Sequence, residues 1–357
     1  MQNVQQKKIC LILSSSLEFS PYVNNYLDIF SDQIITIIEW NRLKIKRQNI
    51  MKNTFTYEEK SSGHQKTFLK YLKYYKFIKR ILKKKKYDLF VVFGIQMSFF
   101  LKSLLKGKKY IIDIRDYHFF SKLPPTKKVL SMSKAIVISS KAYTNFLPKH
   151  DNILINHNFN IYDNEEIKKS STNFFKDMNN DRPLTISTIG ANRDFDDNIK
   201  IIEQIRSQKE IVLYYHGQSS VNEKLKKYCT DNEIYNVIFS GFYEKKEERD
   251  LYKHTHLVIE VRNNNVYNNA LALPNKLYNS ALYYKPILTN AGSYFSQVVI
   301  EYDLGMVFEN HSTFLKDLQK YLSNFSLLKF LDGREKFLEK VIQENNIFRE
   351  YIKNTIK

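Results

Sequence analysis

The segment Leu273–Asn290 of the 357-residue chain, LPNKLYNSALYYKPILTN, carries residues suited to binding an anion. Pro274 suits the first turn of a helix, because its missing N–H would have no partner there. The free N–H groups of that turn and the helix dipole favour an anion, and Lys276 adds a positive charge beside them. Lys285 and Pro286 then end the predicted helix, and a strand follows. The spacing predicts a diphosphate-binding site at the carboxyl edge of a sheet.

Two further groups of polar residues directly follow predicted strands, where open α/β sheets bind their ligands. Arg193 follows Gly190 and is well placed to contact a phosphate. Asp116 and His118 follow another strand, and either is a candidate to contact a sugar or to act as an acid–base group. The alternative interpretations are a solvated loop arginine, a capping aspartate and a surface histidine.

Strands and helices alternate along the chain in two series. The predicted strands of the first series span 8–13, 33–40, 88–93, 109–114, 134–139 and 152–156. Those of the second series span 184–189, 210–215, 237–240, 257–261, 286–289 and 306–308. This alternation is typical of α/β proteins with mostly parallel, doubly wound sheets that helices cover on both faces.

The polar stretch 160–182 is nearly free of aliphatic residues and separates the two series. We therefore expect an N-terminal domain over 1–160, a linker over 161–183 and a second domain over 184–310. The helical segment 311–357 follows, and its return to the N-terminal domain is one option.

The chain has 56 Lys and Arg against 37 Asp and Glu, a formal net charge of +19. Residues 1–110 carry +15 of this excess, whereas residues 184–357 carry only +1. Such a balance indicates an anionic partner of the first domain. The confinement of the charge to one segment, with no recognised nucleic-acid-binding module, argues against a nucleic acid.

Much of the excess lies on one predicted helix, Gln65–Lys86, whose lysines run from Lys66 to Lys86. Its apolar stripe comprises Phe68, Leu72, Tyr75, Ile78 and Leu82. The lysines lie mostly opposite this stripe, with Tyr74 and Phe77 among them. This face is either a solvated lysine surface or a surface that rests on an anionic membrane leaflet.

The remaining composition narrows the class of protein. Two cysteines, Cys10 and Cys229, exclude a disulfide scaffold. No His, Asp or Glu spacing matches a metal site, so we predict no protein-held metal. The most apolar run, Leu89–Leu101, is shorter than the ~20 residues that span a bilayer, and no signal peptide is visible. We expect a cytoplasmic protein that meets a membrane only at its inner surface.

The segment Pro274–Asn279, followed by Lys285-Pro286-Ile287, resembles the P-x-K-x-x-E…G-K-P-(V/I) block of GT-B glycosyltransferases, especially family 4-like enzymes. Gly190-Ala191-Asn192-Arg193 is similar to the G-x-x-R loop of that family, whose arginine meets the donor diphosphate. The similarity extends in order and spacing over about residues 8–310.

Three shorter segments agree with the same resemblance. Gly217 stands where the family has a glycine-bearing loop, and Gly241-Phe242 is similar to its strand–Gly–aromatic step near the nucleobase. Asp113–His118 is similar to its D-x-H-D strand end.

The resemblance implies a GT-B architecture, in which two Rossmann-like domains face a cleft. It implies that the second domain binds a nucleotide-diphosphate sugar as donor substrate, with no bound cofactor. Arg193 and Lys276 would then offset the charge of the diphosphate, Asn275 would lie in the same turn, and Asn279 would hold the ribose. The donor site would comprise Gly190, Arg193, Gly217, Gly241, Phe242, Pro274, Asn275, Lys276 and Asn279.

The resemblance also assigns the acceptor to the first domain. Asp116 and His118 are the candidate catalytic residues there, and Ser15 and Ser16 line the acceptor side. The enzyme would be a hexosyltransferase, with retention of the anomeric configuration. A basic first domain facing the bilayer suggests a glycan or lipid-linked glycan acceptor in bacterial capsule, exopolysaccharide or O-antigen assembly.

Four positions depart from the family pattern. Asn279 replaces the ribose-binding glutamate, and Tyr284 replaces the glycine of G-K-P. Ser14–Ser16 replace a glycine-rich loop, and Leu271 occupies the position of the first carboxylate of E-x7-E. These departures keep two alternatives open: a non-catalytic GT-B-like partner subunit of a glycosyltransferase, and a GT-B nucleotide-sugar epimerase.

Overall fold

A computed structural model describes residues 6–42, 53–58, 68–159 and 183–357. The chain divides into two compact units. Unit 1 comprises Met1–Asn158 and Gln343–Lys357, and unit 2 comprises Phe159–Ile342. The predicted linker lies almost entirely outside the described residues.

Unit 1 is built on a seven-stranded sheet in the order β3-β2-β1-β4-β5-β6-β7, in which every neighbouring pair is parallel. Its strands are β1 Lys8–Ile12, β2 Ile34–Asn41, β3 Thr54–Glu58, β4 Leu89–Phe93, β5 Tyr110–Ile114, β6 Ala135–Ile138 and β7 Ile153–Ile155. The central strands are continuous apolar runs, as expected for parallel strands that are buried on both faces.

The helices of unit 1 are α1 Val23–Ile29, α2 Phe68–Leu82, α3 Ile95–Leu105 and α4 Pro124–Ser131. One core lies between the sheet and α1 and also includes Phe348 and Ile352 near the C-terminus. These two residues belong to the end of the last helix, Leu327–Thr355 (α12), whose final turns pack on unit 1.

Unit 2 is built on a six-stranded, fully parallel sheet in the order β10-β9-β8-β11-β12-β13. Its strands are β8 Leu184–Ile189, β9 Ile211–His216, β10 Val237–Gly241, β11 Leu257–Ile259, β12 Ile287–Asn290 and β13 Gly305–Phe308. Both sheets therefore have the doubly wound topology that the sequence predicts.

The helices of unit 2 cover both faces of its sheet, with one apolar core on each side. They are α5 Phe195–Ile205, α6 Ser220–Asp231, α7 Glu248–Lys253, α8 Tyr267–Leu271, α9 Asn275–Leu282, α10 Tyr294–Glu301, α11 Phe314–Ser323 and the first part of α12. The predicted strands of both units are confirmed to within two residues at each end, whereas β3, α4 and α8 were not predicted.

The face assignment of the basic helix α2 was partly wrong. Tyr74, predicted among the exposed lysines, is fully buried, and its hydroxyl donates a hydrogen bond to the carbonyl of Leu13 at 2.7 Å. Phe68, predicted in the buried stripe, is 54% exposed. The buried face comprises Tyr71, Tyr74 and Ile78. Lys66 lies outside the described residues, and the helix ends at Leu82 rather than at Lys86.

No helix in the described part of the chain combines the length and the apolar character needed to cross a membrane.

Candidate functional site: the strand-end edges of the two sheets

The carboxyl edge of the unit 2 sheet has one point where the direction of winding reverses. Strand β9 lies on one side of β8, and β11 lies on the other. In doubly wound sheets, the loops that follow such a pair of strands enclose a crevice in which ligands bind. Here those loops carry Gly190 and Arg193 after β8, and Glu260 and Arg262 after β11.

Two glycines bring the loops after β8 and β9 into backbone contact. Gly190 has φ 111° and Gly217 has φ 114°. A Cβ on Gly217 would lie 2.9 Å from the backbone C and O of Gly190, which leaves no room for a side chain. An amide network supports this contact, since Asn192 donates to Asn222 at 2.8 Å and Asn222 donates to the Gly217 carbonyl at 2.7 Å.

Arg193 follows this rigid turn and is exposed, as its proposed role requires. Among the described residues, no hydrogen-bond or ion-pair partner of its guanidinium is found. The turn is fixed by its neighbour Asn192, whose Oδ1 accepts a 2.8 Å hydrogen bond from Thr188 on β8. A cation on a rigid strand-end turn is well placed to meet an anion in the crevice.

Lys276 forms a buried ion pair, so its charge is not free for the diphosphate in the way that the sequence predicts. Its Nζ lies 2.6 Å from Oε2 of Glu260, and the two side chains are 9% and 13% exposed. Nε of Arg262 lies 3.4 Å from Oε1 of the same carboxylate. Glu260 follows β11 and was not singled out from the sequence, because 16 residues separate it from Lys276. Two cations and one carboxylate meet at this point, and the carboxyl group of Asp194 also interacts with Glu260 and Arg262.

The expected position of Pro274 within the helix is corrected. Pro274 has φ −76° and ψ 151°, an extended conformation, and α9 begins at the next residue, Asn275, which is exposed. Pro274 therefore caps the helix instead of forming its first turn. Leu277, Ala281 and Leu282 form the buried face of α9.

Asn279 is linked to a carboxylate from another helix. Its Nδ2 donates a 2.9 Å hydrogen bond to Oε1 of Glu248, at the start of α7. Lys245 pairs with the same oxygen, and the hydroxyl of Tyr243 contacts Oε2 at 3.4 Å. This hydroxyl is also 3.9 Å from the position of a Cβ on Gly190. The sequence offered no signal for Glu248, which lies 31 residues before Asn279.

Burial and the neighbouring Glu248 carboxylate raise the pKa of Tyr243 above its ordinary value. The phenol therefore stays protonated near neutral pH. Its O–H donates to the Glu248 carboxylate, and its oxygen can accept a hydrogen bond from a ligand.

The loop after β10 presents an aromatic ring to solvent. Gly241 has φ 76°, and Phe242 beside it is 74% exposed. Gly217 N–H donates to the Gly241 carbonyl at 2.8 Å, so this loop adjoins the turn after β9. An exposed ring at a strand end offers a face on which a planar base can stack.

Tyr284 stands where the pattern that the segment resembles has a glycine, and it adopts a backbone conformation typical of glycine. Its φ is 58°, the left-handed conformation that usually favours glycine. The guanidinium of Arg334 lies 3.5 Å from the centre of its ring, and Arg334 Nε donates to the carbonyl of Ala281. A cation–π contact in a partly buried place offsets part of the backbone strain.

The carboxyl edge of the unit 1 sheet reverses its winding between β1 and β4. Ser15 and Ser16 follow β1 there, and Ser16 is buried. The hydroxyls of Ser15 and Ser20 are 2.9 Å apart. Leu17 N–H donates to the buried carboxylate of Glu39 at 2.9 Å. These hydrogen bonds hold the turn Ser14–Ser16, which stands where the resembled pattern has a glycine-rich loop.

Asp113 and Arg115 form a buried ion pair at the end of β5. Arg115 Nε lies 2.6 Å from Oδ1 of Asp113, and Nη2 lies 2.8 Å from Oδ2. Tyr26 donates to Oδ2 at 2.7 Å, and Arg115 Nη1 donates to the carbonyl of Asn156 at 2.7 Å. The arginine pairs with Asp113 rather than with Asp116. The network fixes the strand end from which the next loop departs.

Asp116 and His118 lie in that loop. Asp116 is exposed, and His118 caps the short 3-10 helix Phe119–Lys122. Nδ1 of His118 accepts a 3.2 Å hydrogen bond from the N–H of Phe120. The neutral ring therefore carries its proton on Nε2, which makes it a donor rather than a base toward a ligand.

No three His, Cys, Asp or Glu side chains within the described ranges are grouped so that they could hold a metal ion.

Comparisons with known proteins identify the architecture. Neither a protein-family model nor a curated protein sequence matches the chain. Solved structures match it over nearly its whole length. Sucrose-phosphate synthase from Thermosynechococcus elongatus has a TM-score of 0.69 at 12% identity and covers 97% of this chain and 99% of its own. Anabaena Alr3699/HepE in complex with UDP has a TM-score of 0.68 at 10% identity and covers 97% and 100%.

WaaG, described as a glycosyltransferase involved in lipopolysaccharide biosynthesis, has a TM-score of 0.63 at 13% identity and covers 98% of this chain and 99% of its own. The chain therefore has the GT-B fold, and the predicted fold class is confirmed. The same fold also occurs in UDP-GlcNAc 2-epimerase from Methanocaldococcus jannaschii, with a TM-score of 0.55 at 14% identity over 94% of this chain and 99% of its own.

Proposed function

We propose that the protein is a glycosyltransferase that moves a sugar from a nucleotide-diphosphate sugar to a glycan or lipid-linked glycan in bacterial surface polysaccharide biosynthesis. The observation that carries this proposal is the turn after β8 in unit 2, beside the crevice expected where the winding reverses, in which Gly190 packs on Gly217 and exposed Arg193 follows. UDP in the HepE complex and the description of WaaG support the choice of substrate class and pathway.

The donor side follows from the charges around that crevice. Arg193 and the backbone N–H groups of its turn bind the diphosphate, and Lys276 and Arg262, both held by Glu260, supply two further cations. These groups offset the charge that builds on the leaving diphosphate, which is where preorganised cations lower a barrier. Asn279 binds the ribose together with the carboxylate of Glu248, and Phe242 stacks on the base.

The acceptor side lies on unit 1. Asp116 and His118 follow β5, and Ser15 and Ser16 follow β1, so all four belong to the same edge of that sheet. In this proposal Asp116 contacts the acceptor hydroxyl, and His118 donates from Nε2. The family 4-like resemblance favours retention of the anomeric configuration in a hexosyl transfer.

We further propose that helix α2 rests on the anionic inner face of the plasma membrane. Lys73, Lys76, Lys79 and Arg80 are exposed, and the segment Lys83–Lys86 continues the basic run. Each cation near such a surface contributes about 1 kcal/mol. Co-sedimentation with anionic and with neutral vesicles tests this point, and equal, weak pelleting with both would reject it.

Nucleotide titration tests the central proposal. We expect one UDP-, GDP- or dTDP-sugar to bind by calorimetry, and Arg193→Ala to weaken it about tenfold to hundredfold, since charge-assisted hydrogen bonds to phosphate are lost. Arg206→Ala is the matched control, because Arg206 lies at the opposite end of α5 and pairs with Glu203.

The two alternatives give different results in the same experiments. A non-catalytic partner subunit binds none of the donors and is unaffected by Arg193→Ala. An epimerase converts its nucleotide sugar without an acceptor, which nuclear magnetic resonance of the sugar detects. A transferase releases the nucleoside diphosphate only slowly until its acceptor is added. Glu248 beside Asn279 favours an intact nucleotide site over a degenerate one.

A further inference from the structure

Unit 1 exposes three large apolar side chains at neighbouring points of its surface. Phe68 and Leu69 begin α2 and are 54% and 69% exposed, and Phe119 is 58% exposed. Single exposed apolar residues are common, but a contiguous group marks an interaction surface. Phe68 and Phe119 are 51 positions apart in the sequence, so any contact between their surroundings comes from the fold.

A chain of ring contacts connects them. Phe68 lies 5.1 Å from Phe100, and Phe100 lies 6.1 Å from Phe120, measured between ring centres. Phe120 lies 4.7 Å from Phe119 and 4.7 Å from Phe99. The buried ring of Phe100 thus joins the exposed rings of Phe68 and Phe119 and the partly buried rings of Phe99 and Phe120. We call these four outer rings, which lie on α2, α3 and the 3-10 helix Phe119–Lys122, the aromatic ridge.

The elements that carry the ridge are cationic throughout. Phe68–Leu82, Ile95–Leu105 and Phe119–Lys122 contain no Asp or Glu. Their basic residues are Lys70, Lys73, Lys76, Lys79, Arg80, Lys102 and Lys122. Lys102 Nζ lies 4.5 Å from the ring centre of Phe99, so one cation sits directly on the ridge. Apolar side chains surrounded by lysines complement a surface that is apolar inside and anionic at its rim.

We propose that the aromatic ridge enters the acyl boundary of an anionic bilayer while the lysines around it bind the lipid headgroups. A second copy of the chain is disfavoured as the occupant, because it would bring the same positive charges against the ridge. The inference rests on the proposed function and deepens it. His118 lies 4.6 Å from the rings of both Phe119 and Phe120, so the candidate acceptor residues adjoin the surface that receives a lipid-borne acceptor.

Electrostatic docking by α2 alone leaves the side chains outside the acyl region, whereas the proposed binding requires the aromatic ridge to penetrate it. Trp40 is the single tryptophan of the chain and is fully buried, so a new tryptophan on the ridge reports its own surroundings. Phe119→Trp and Phe68→Trp are the test variants. Ile300→Trp is the matched control, because Ile300 is 64% exposed and belongs to unit 2, whereas the basic segment belongs to unit 1.

The full-length variants are mixed with vesicles of phosphatidylglycerol or phosphatidylcholine, with or without brominated acyl chains. We expect a blue shift and bromine quenching of both ridge tryptophans on phosphatidylglycerol, and no change for Ile300→Trp. Phe119→Ser should weaken vesicle binding about fivefold, since half of a phenyl surface no longer leaves water. Unchanged melting temperatures establish that the variants are folded.

Binding to anionic vesicles without blue shift or quenching would overturn the inference in favour of surface docking alone. Concentration-dependent dimers that Phe119→Ser dissolves, with no vesicle binding, would overturn it in favour of a second copy. Nucleotide titration is independent of both results. Loss of donor binding would refute the proposed function, whereas normal donor binding with no penetration would refute only the ridge.

Discussion

The buried ion pair between Lys276 and Glu260 tests how the candidate donor site is built. At the observed 2.6 Å, with an effective dielectric constant of about 20, the two charges attract by about 6 kcal/mol before desolvation is subtracted. Removing one partner leaves the other buried and costs about 3–5 kcal/mol. Arg262 remains 3.4 Å from Glu260, so we expect the lower end, about 3 kcal/mol, for Lys276→Met.

Circular dichroism during denaturant and thermal unfolding measures this loss. For a unit of this size, 1 kcal/mol corresponds to about 2–4 °C, so Lys276→Met should lower the melting temperature of unit 2 by about 6–12 °C. The double variant Lys276→Met/Glu260→Gln removes both charges of the pair and leaves Arg262 hydrogen-bonded to the carbonyls of Asn269 and Ala272, so it should recover about 1 kcal/mol. Lys200→Met is the control, because its pair with Asp197 is exposed and contributes less than about 1 kcal/mol.

Donor titration of the same variants separates structure from binding. If the charge of Lys276 acts on the diphosphate as well as on Glu260, the stable double variant still binds the donor about tenfold more weakly. If donor affinity returns with stability, the charge of Lys276 does not act on the donor and its pair with Glu260 is structural. If the Lys276→Met protein unfolds like the wild type, the reasoning is refuted. The buried carboxylate of Glu260 would then have lost a partner with no loss of stability.

Two further predictions concern the strand ends of unit 2. Gly217→Ala should destabilise by about 1–3 kcal/mol and weaken donor binding, because its Cβ would lie 2.9 Å from the backbone of Gly190. Gly107→Ala, with φ 70° and nothing within 4 Å, should cost only about 1 kcal/mol. Burial lowers the pKa of His216 below its ordinary 6.5, so the folded chain keeps it neutral while the unfolded chain takes up a proton as pH falls through 6.5. Stability should therefore fall between pH 7.5 and 5.5, and His216→Gln, but not exposed His254→Gln, should flatten that fall in unfolding experiments.

The strands were readable from the sequence for a simple physical reason. A parallel strand covered on both faces is a short continuous apolar run, as in Leu89–Phe93, whose five residues are all buried. Strand β3, Thr54–Glu58, escaped prediction because it lies at the edge of the sheet and is only half-buried, with polar residues in alternation. Strand β3 contains too few apolar residues for the sequence pattern to distinguish it from a loop.

The face of α2 was predicted less well because tyrosine fits either side of a helix. Apolar spacing selected Phe68 and Tyr75, yet the core receives Tyr71 and Tyr74. The decisive contact is the hydrogen bond from Tyr74 to the carbonyl of Leu13, a residue 61 positions earlier. The residue pattern of α2 does not contain this contact, because Leu13 directly follows strand β1.

The same distinction separates what the sequence predicted of the site from what it did not. Arg193 and Asp116 directly follow strands, and topology alone places such residues at the carboxyl edge of a sheet. The partner of Lys276, by contrast, depends on the arrangement of the sheet. Strand β11 lies beside β8, and this places Glu260, which follows β11, next to α9. Spacing motifs describe one segment at a time and do not contain such cross-element pairs.

Asn279 illustrates the consequence for function. Judged by its own segment, the chain has a neutral amide where the family 4-like pattern that it resembles has a carboxylate. In the folded unit, that amide donates to Glu248, so a carboxylate lies 2.9 Å from the substituted residue. A glutamate at position 279 would set two carboxylates against each other, and like charges at this distance repel. The asparagine and Glu248 are therefore complementary, and the substitution alone gives no reason to read the site as degenerate.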